Sequence, residues 1–202
     1  MAGNYNLSGG AFAALAGRVF SVHATLLLPQ DGQFLAFTFE NPANNDQVMY
    51  LEEVTAGIWV NEVAGTRVSN EETIELVVAG TPQVQDVDET LTPVNNLVGS
   101  PRVSTLLVRT VNDFTLGSVL FGSIYPGGEL NQEFRGRIIL PPGQILLIYV
   151  INRANNITNA LLTATVTWRE LPLGKRRRRR KEALQNTGEQ EKAESGETSQ
   201  TG

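Results

Sequence analysis

Between residues 19 and 171 the chain is a series of short runs of Val, Ile, Leu, Phe, Thr and Tyr, each closed by Gly, Pro, Asn or Asp. Runs spaced at roughly 8–12 residues with turn residues between them restrict a chain to an antiparallel sandwich or barrel. Strands are read at 19–28, 33–40, 47–54, 58–63, 73–78, 104–111, 118–124, 134–140, 145–151 and 160–171. The sharpest of them is 160–171 (ALLTATVTWREL). Successive side chains on a strand point to opposite faces. Leu162, Ala164, Val166 and Trp168 therefore share an inward face, and Thr163, Thr165, Thr167 and Arg169 an outward one. The turns at 29–32 (PQDG), 41–46 (NPANND), 125–128 (YPGG), 141–143 (PPG) and 152–156 (NRANN) punctuate the series. Ala56-Gly57 parts two of the strands.

Residues 79–103 break the pattern. They hold Pro82, Pro93, Pro101 and several acids, and read as a long loop with one weak strand at most. Loops of that length inside a compact domain are usually functional or mobile. Before the first strand, residues 1–18 form a flexible arm or a short helix over 11–16, bracketed by Gly9-Gly10 and Gly17. The expected architecture is all-β: an antiparallel β-sandwich over 19–174, jelly-roll-like by strand count and size, with a disordered tail over 175–202.

Charge divides the chain at Gly174. Residues 1–174 contain no lysine, and their eight arginines face sixteen carboxylates, a balance of −8. Residues 175–202 carry eight cations and five glutamates, a balance of +3. Seven of those cations are consecutive: Lys175, Arg176, Arg177, Arg178, Arg179, Arg180 and Lys181. The rest of the tail has no large apolar side chain after Leu184, so it cannot offset its own ordering entropy. The acidic body should repel polyanions. The basic run should bind nucleic acid or another polyanion by counterion release, without reading sequence, since it has no interleaved aromatics. Anionic lipid and a nuclear localisation signal are further uses of such a run, and a solvated tail is the plain alternative.

The chemistry-bearing residues are few. The chain has no cysteine, which excludes disulfides and thiolate metal sites. His23 is the only histidine, so neither a histidine-cluster metal site nor a Ser-His-Asp triad is supported. Glu52 and Glu53 are adjacent on a strand and face opposite ways. Asp86, Asp88 and Glu89 alternate as calcium ligands would, without the glycine and terminal Glu of a defined calcium loop. Neither glycine pair, 9–10 or 127–128, is followed by the lysine and helix of a phosphate loop. Trp59 and Trp168 serve as core or interface aromatics, or as sugar platforms. No catalytic, metal or cofactor residues are assigned.

Four segments carry a family resemblance: 37–42 (FTFENP), 50–54 (YLEEV), 138–143 (IILPPG) and 166–170 (VTWRE). The chain resembles small β-sandwich structural proteins of tailed-phage virions and prophages, over residues 33–171. The resemblance implies a non-enzymatic virion component of capsid, decoration or fibre type. It further implies homo-oligomers, a trimer favoured, other virion proteins as partners, and assembly in the host cytoplasm. It transfers no functional residues, and the basic tail lies outside it. The runner-up is a carbohydrate- or receptor-binding sandwich using the 79–103 loop and a Trp. A third reading is a coat subunit that contacts nucleic acid through its tail. The start of the chain lacks the basic region of a secretory signal, and no apolar run is long enough for a membrane span.

Overall fold

In the computed structural model, residues 13–14, 16–28, 33–60, 73–153 and 160–173 are described. Eleven strands lie among them: β1 (Val19–Leu28), β2 (Phe34–Asn41), β3 (Gln47–Val60), β4 (Thr73–Gly80), β5 (Gln83–Leu91), β6 (Val94–Asn95), β7 (Leu107–Thr115), β8 (Ser118–Pro126), β9 (Glu129–Leu140), β10 (Gln144–Asn152) and β11 (Ala160–Pro172). They form two antiparallel sheets that pack on each other, with no long helix among the described residues. The roll belongs to the first of two compact units, Met1–Leu171; the second, Pro172–Gly202, is described only at its first two residues.

Four pairings nest within one another: β1 with β11, β2 with β10, β3 with β9, and β4 with β8. The eight strands are thus one long antiparallel ribbon. Rolled up, the ribbon puts β1-β11-β3-β9 in one sheet and β2-β10-β4-β8 in the other. That is the jelly-roll order expected from strand count and size. The strands β5, β6 and β7 are an insertion between β4 and β8. Of these, β5 and β7 extend the second sheet past β2, and β6 extends the first past β1.

Several boundaries differ from the sequence reading. The supposed loop at 79–103 contains β5 and β6, with β5 paired along its length to β7, and β7 runs Leu107–Thr115 rather than the expected 104–111. Ala56-Gly57 does not interrupt β3, because both residues pair with Leu130 and Glu129 of β9. And β9 starts at Glu129, five residues before the expected 134. The misses at β5 and β9 share a cause: on an edge strand the flanking face is wet, so polar residues replace the apolar alternation. Ala56-Gly57, by contrast, lies in the inner strand β3, where a glycine that reads as a turn is held in the ladder. A helical turn does precede β1. Gly17 N donates to Ala14 O (2.9 Å) and Arg18 N to Ala13 O (2.8 Å), the paired bonds of a Schellman cap. Gly17 takes the positive φ (61°) the cap requires.

The core fills the space between the sheets. Phe20 and Val22 of β1, Phe37 and Phe39 of β2, Leu51 of β3, Leu76 of β4, Ile148 of β10 and Trp168 of β11 are all buried there. The inward face assigned to β11 holds, with Leu162, Ala164, Val166 and Trp168 all buried. The Trp168 ring stacks on Phe20 (centroids 6.1 Å) and meets Phe39 edge-on (5.3 Å). A second, smaller cluster lies on the outer face of the six-stranded sheet, where Ala36, Val77, Leu147 and Tyr149 pack with Phe34 and Phe114.

Candidate interaction surface

The residue after next from Trp168 is Glu170, and the strand's period of two puts both on one face. Glu170 is 3% exposed, yet its carboxylate faces no cation within ion-pair distance among the described residues. Four neutral donors hold it instead. Trp168 Nε1 (3.0 Å) and Ser104 Oγ (2.5 Å) donate to Oε1; Thr105 N (3.0 Å) and Thr105 Oγ1 (2.7 Å) donate to Oε2. Asn45 Nδ2 extends the network, donating to Thr105 Oγ1 (2.7 Å) and Asn41 Oδ1 (2.6 Å). Asn41 Nδ2 in turn donates to the carbonyls of Leu140 and Gln47. The network ties four chain segments together at one end of the roll. Its hydrogen bonds hold residues 104–105 to β11.

The segment that Glu170 clamps leads back to an unusual loop. Residues 94–103 (VNNLVGSPRV) expose Val98 by 96%, Val103 by 78% and Val94 by 64%. The loop is nonetheless fixed. Asn95 Nδ2 donates to Gly17 O (3.0 Å) and Arg102 O (2.9 Å), and Asn95 Oδ1 accepts from Leu97 N (2.9 Å). Asn96 N donates to Val19 O (2.9 Å), and Ser21 Oγ to Asn96 Oδ1 (2.8 Å). A Cβ at Gly17 would lie 2.5 Å from Ser100 Oγ, so only glycine lets the loop seat against the cap. An apolar loop tied down by hydrogen bonds is a candidate interaction surface, because its ordering entropy is already spent before a partner arrives.

The residues singled out from sequence fall into separate places. His23 is exposed on β1; its Nδ1 lies 3.0 Å from Thr165 Oγ1 and its Nε2 3.2 Å from Thr25 Oγ1. Glu53 pairs across the ladder with Glu133, while a β-bulge in the β3–β9 ladder sets Glu52 apart from it. Arg169 Nε lies 2.8 Å from Glu52 Oε1, at an angle that does not complete a hydrogen bond, and the guanidinium stacks over Tyr50. Burial raises the Glu52 carboxyl above its ordinary 4.5, and Arg169 partly opposes that. Burial, reinforced by Glu75, likewise raises the Tyr149 phenol against a smaller effect of Arg153. Asp86, Asp88 and Glu89 are exposed along β5, and Asp88 Oδ2 accepts from Thr110 Oγ1 (3.4 Å). Among the described residues no group of three or more His, Cys, Asp or Glu side chains could hold a metal. Trp168 is fully buried, so it is no sugar platform, and the Trp59 side chain lies outside the described residues. So do all seven cations, Lys175 to Lys181.

Two grooves open between the described residues. One, of about 390 Å³, is lined by Thr55, Gly57, Asn131, Thr163 and Thr165, with no aromatic ring among the described lining residues. The other, of about 310 Å³, brings His23 and Thr25 near Asp88, Glu89 and Asn112. In the second groove the His23 ring contacts the hydroxyls of Thr25 and Thr165, and its hydrogen bonds do not include Asp88 or Glu89. Among the described residues no helix is long and apolar enough to cross a membrane. No known family model matches this chain, and no curated relative matches it.

Proposed function

We propose that the chain is a non-enzymatic structural subunit, of virion-component kind, that assembles with copies of itself. The observation that carries the reading is the pinned loop 94–103, which holds Val94, Val98 and Val103 in water on a rigid frame. An assembling subunit presents preorganised apolar surface of this kind to its partner. The jelly-roll order supports the reading by analogy of fold, since capsid domains share it with lectins and cupins. The trimer belongs to the resemblance with phage structural proteins and is part of the proposal on that ground alone. Sedimentation velocity of the full chain tests the reading. Discrete oligomers are expected, and Val98→Asp with Val103→Asp should reduce them. A monomer at about 100 μM, a concentration at which weak specific contacts form, overturns it; glycan binding by that monomer would favour the carbohydrate-binding alternative.

The basic run adds a polyanion contact to this reading. Its support is the charge partition, −8 in residues 1–174 against +3 in 175–202. Seven cations on duplex DNA would give a log–log salt slope of about −6, reduced by the five tail glutamates. A salt titration comparing the native chain with one whose seven cations are replaced by serine tests it. Binding that survives the replacement puts the contact on the acidic body and ends the proposal.

A further inference from the structure

Four strands of the roll have a neighbour on one side only among the described strands: β6 and β9 in one sheet, β5 and β8 in the other. Edge strands pair with other chains unless something prevents it. Three of the four are very short or charged. The strand β6 is two residues long. The strand β5 carries Asp86, Asp88 and Glu89, all exposed. The strand β9 carries Glu129, Glu133, Arg135 and Arg137, and is broken by a wide bulge where Arg135 and Gly136 take positive φ (52° and 73°).

The fourth edge, β8, is different. Residues 114–128 contain no charged side chain. Ile124 is 65% exposed, Val119 58% and Leu120 54%. The acid nearest Ile124 in the ladder, Glu75, is already neutralised by Arg153 at 2.7 Å. It has one extra, unpaired residue near its start, Leu120, between the Phe121 and Val119 pairings, and ends at Pro126; the ladder from Phe121 to Pro126 is regular.

We infer that β8 is a strand-pairing edge whose partner is β8 of a second copy of this chain, joined antiparallel about a two-fold axis at Gly122. The inference rests on the self-association proposed above and adds its surface and symmetry. Self-pairing suits β8 because an uncharged strand meets its own copy without repulsion, whereas two copies of β5 would oppose acid to acid. The longest antiparallel self-pairing of Ser118–Pro126 centres on its fifth residue, Gly122. In that register Leu120, the extra residue of the ladder irregularity, lies opposite Ile124 of the second copy and Val119 opposite Tyr125, so Leu120 and Ile124 cover each other. Gly122 has open space around the position of a Cβ, and its missing side chain leaves room at the axis. Two six-stranded sheets then become one continuous sheet. The contact is isologous and closes at two copies, so a trimer would require another surface, such as the 94–103 loop.

Single-cysteine scanning reads this contact directly, because the native chain has no cysteine to interfere. Opposed residues across an antiparallel pair come within disulfide reach, and residues four positions off do not. Under mild oxidation Gly122→Cys is expected to form a covalent dimer by itself. Leu120→Cys and Ile124→Cys are expected to cross-link only when mixed with each other. Ile124→Lys should raise the concentration needed for dimer about tenfold or more, with circular dichroism and melting unchanged. If the native chain associates but Gly122→Cys stays monomeric on oxidation, the β8 contact is overturned and self-association stands. If the native chain sediments as a monomer, both fall.

Discussion

The two faces of β11 keep a charge away from water in opposite ways. On the inner face the apolar row Leu162, Ala164, Val166 and Trp168 ends at Glu170, which is buried with four neutral donors on its two oxygens. On the outer face the Arg169 side chain is 19% exposed, close to Glu52 and over Tyr50, without a completed hydrogen bond to the acid. Geometry stabilises the first carboxylate; a nearby opposite charge only partly compensates the second, whose proton affinity is raised by burial. Fixed dipoles lose nothing to salt or to side-chain freedom, while a partly exposed ion pair loses to both. The inner face should therefore set stability and the outer face should tune it.

The largest effect belongs to Trp168. Replacing it with Ala removes the ring packed between Phe20 and Phe39 and one donor to Glu170. The expected cost is about 3–5 kcal/mol in urea unfolding. A cost near that of an outer-face change would mean the two faces do not differ as argued. Next comes Glu170→Gln, which keeps the shape but turns one acceptor into a donor. Each donor it leaves unmatched in the buried network costs about 1–3 kcal/mol. If Glu170→Gln unfolds at the native denaturant concentration, the carboxylate is not what holds residues 104–105 to β11.

The contrast between the faces was only half legible in the sequence. The inner face of β11 announces itself because a strand with one wet side must alternate, and Trp168 closes a row of four apolar residues. Glu170 does not, since a carboxylate at a strand end normally reads as solvated; its partners Ser104 and Thr105 lie 66 and 65 residues away. The signal that could have found it is the Trp-x-Glu spacing, which places an indole donor and a carboxylate on one face. The strand β5 was hidden for the opposite reason. Only Val84 and Leu91 at its two ends are even half buried, so Asp86, Asp88 and Glu89 look like loop. The hub at Asn95 was invisible because an asparagine in a Pro-flanked stretch signals a turn whether or not its side chain bonds across the fold.

A smaller effect comes from Glu52. Its folded-state proton affinity exceeds the unfolded one, so the folded chain binds the proton more readily and native stability declines as pH rises through that raised value. Below the ordinary 4.5 the group is protonated in both states and contributes no dependence. Glu52→Gln should thus be neutral or slightly stabilising at pH 7, and its difference from the native chain should close as pH falls below 4.5. Denaturant midpoints across pH 3–8, a range that spans the carboxylate titrations, measure this. A variant that loses stability at pH 7 and regains it in acid would show that the attraction of Arg169 outweighs burial, and would reverse the sign assigned to the outer face.

The smallest effect is at Thr165, directly between the two faces' extremes. Its neighbours Ala164 and Val166 are buried, but its own side chain points outward, with Oγ1 3.0 Å from His23 Nδ1 in an exposed row that continues to Thr25. A solvent-exposed hydrogen bond exchanges readily with water, so Thr165→Ala should cost under about 1 kcal/mol. The β-branched methyl it loses favours the strand slightly, which keeps the sign destabilising. Paired with Trp168→Ala in one urea series, it gives the comparison its cleanest form. The two residues lie three apart on one strand, in the same register against β1, opposite His23 and Phe20. Val166→Ala in the same series controls for size, because Val166 is isosteric with Thr165 and buried on the inner face. A several-fold difference between the Val166 and Thr165 costs comes from the face each occupies. Equal costs would mean that the wet face of β11 is packed as tightly as the core, and the division drawn here between Glu170 and Arg169 would have no basis.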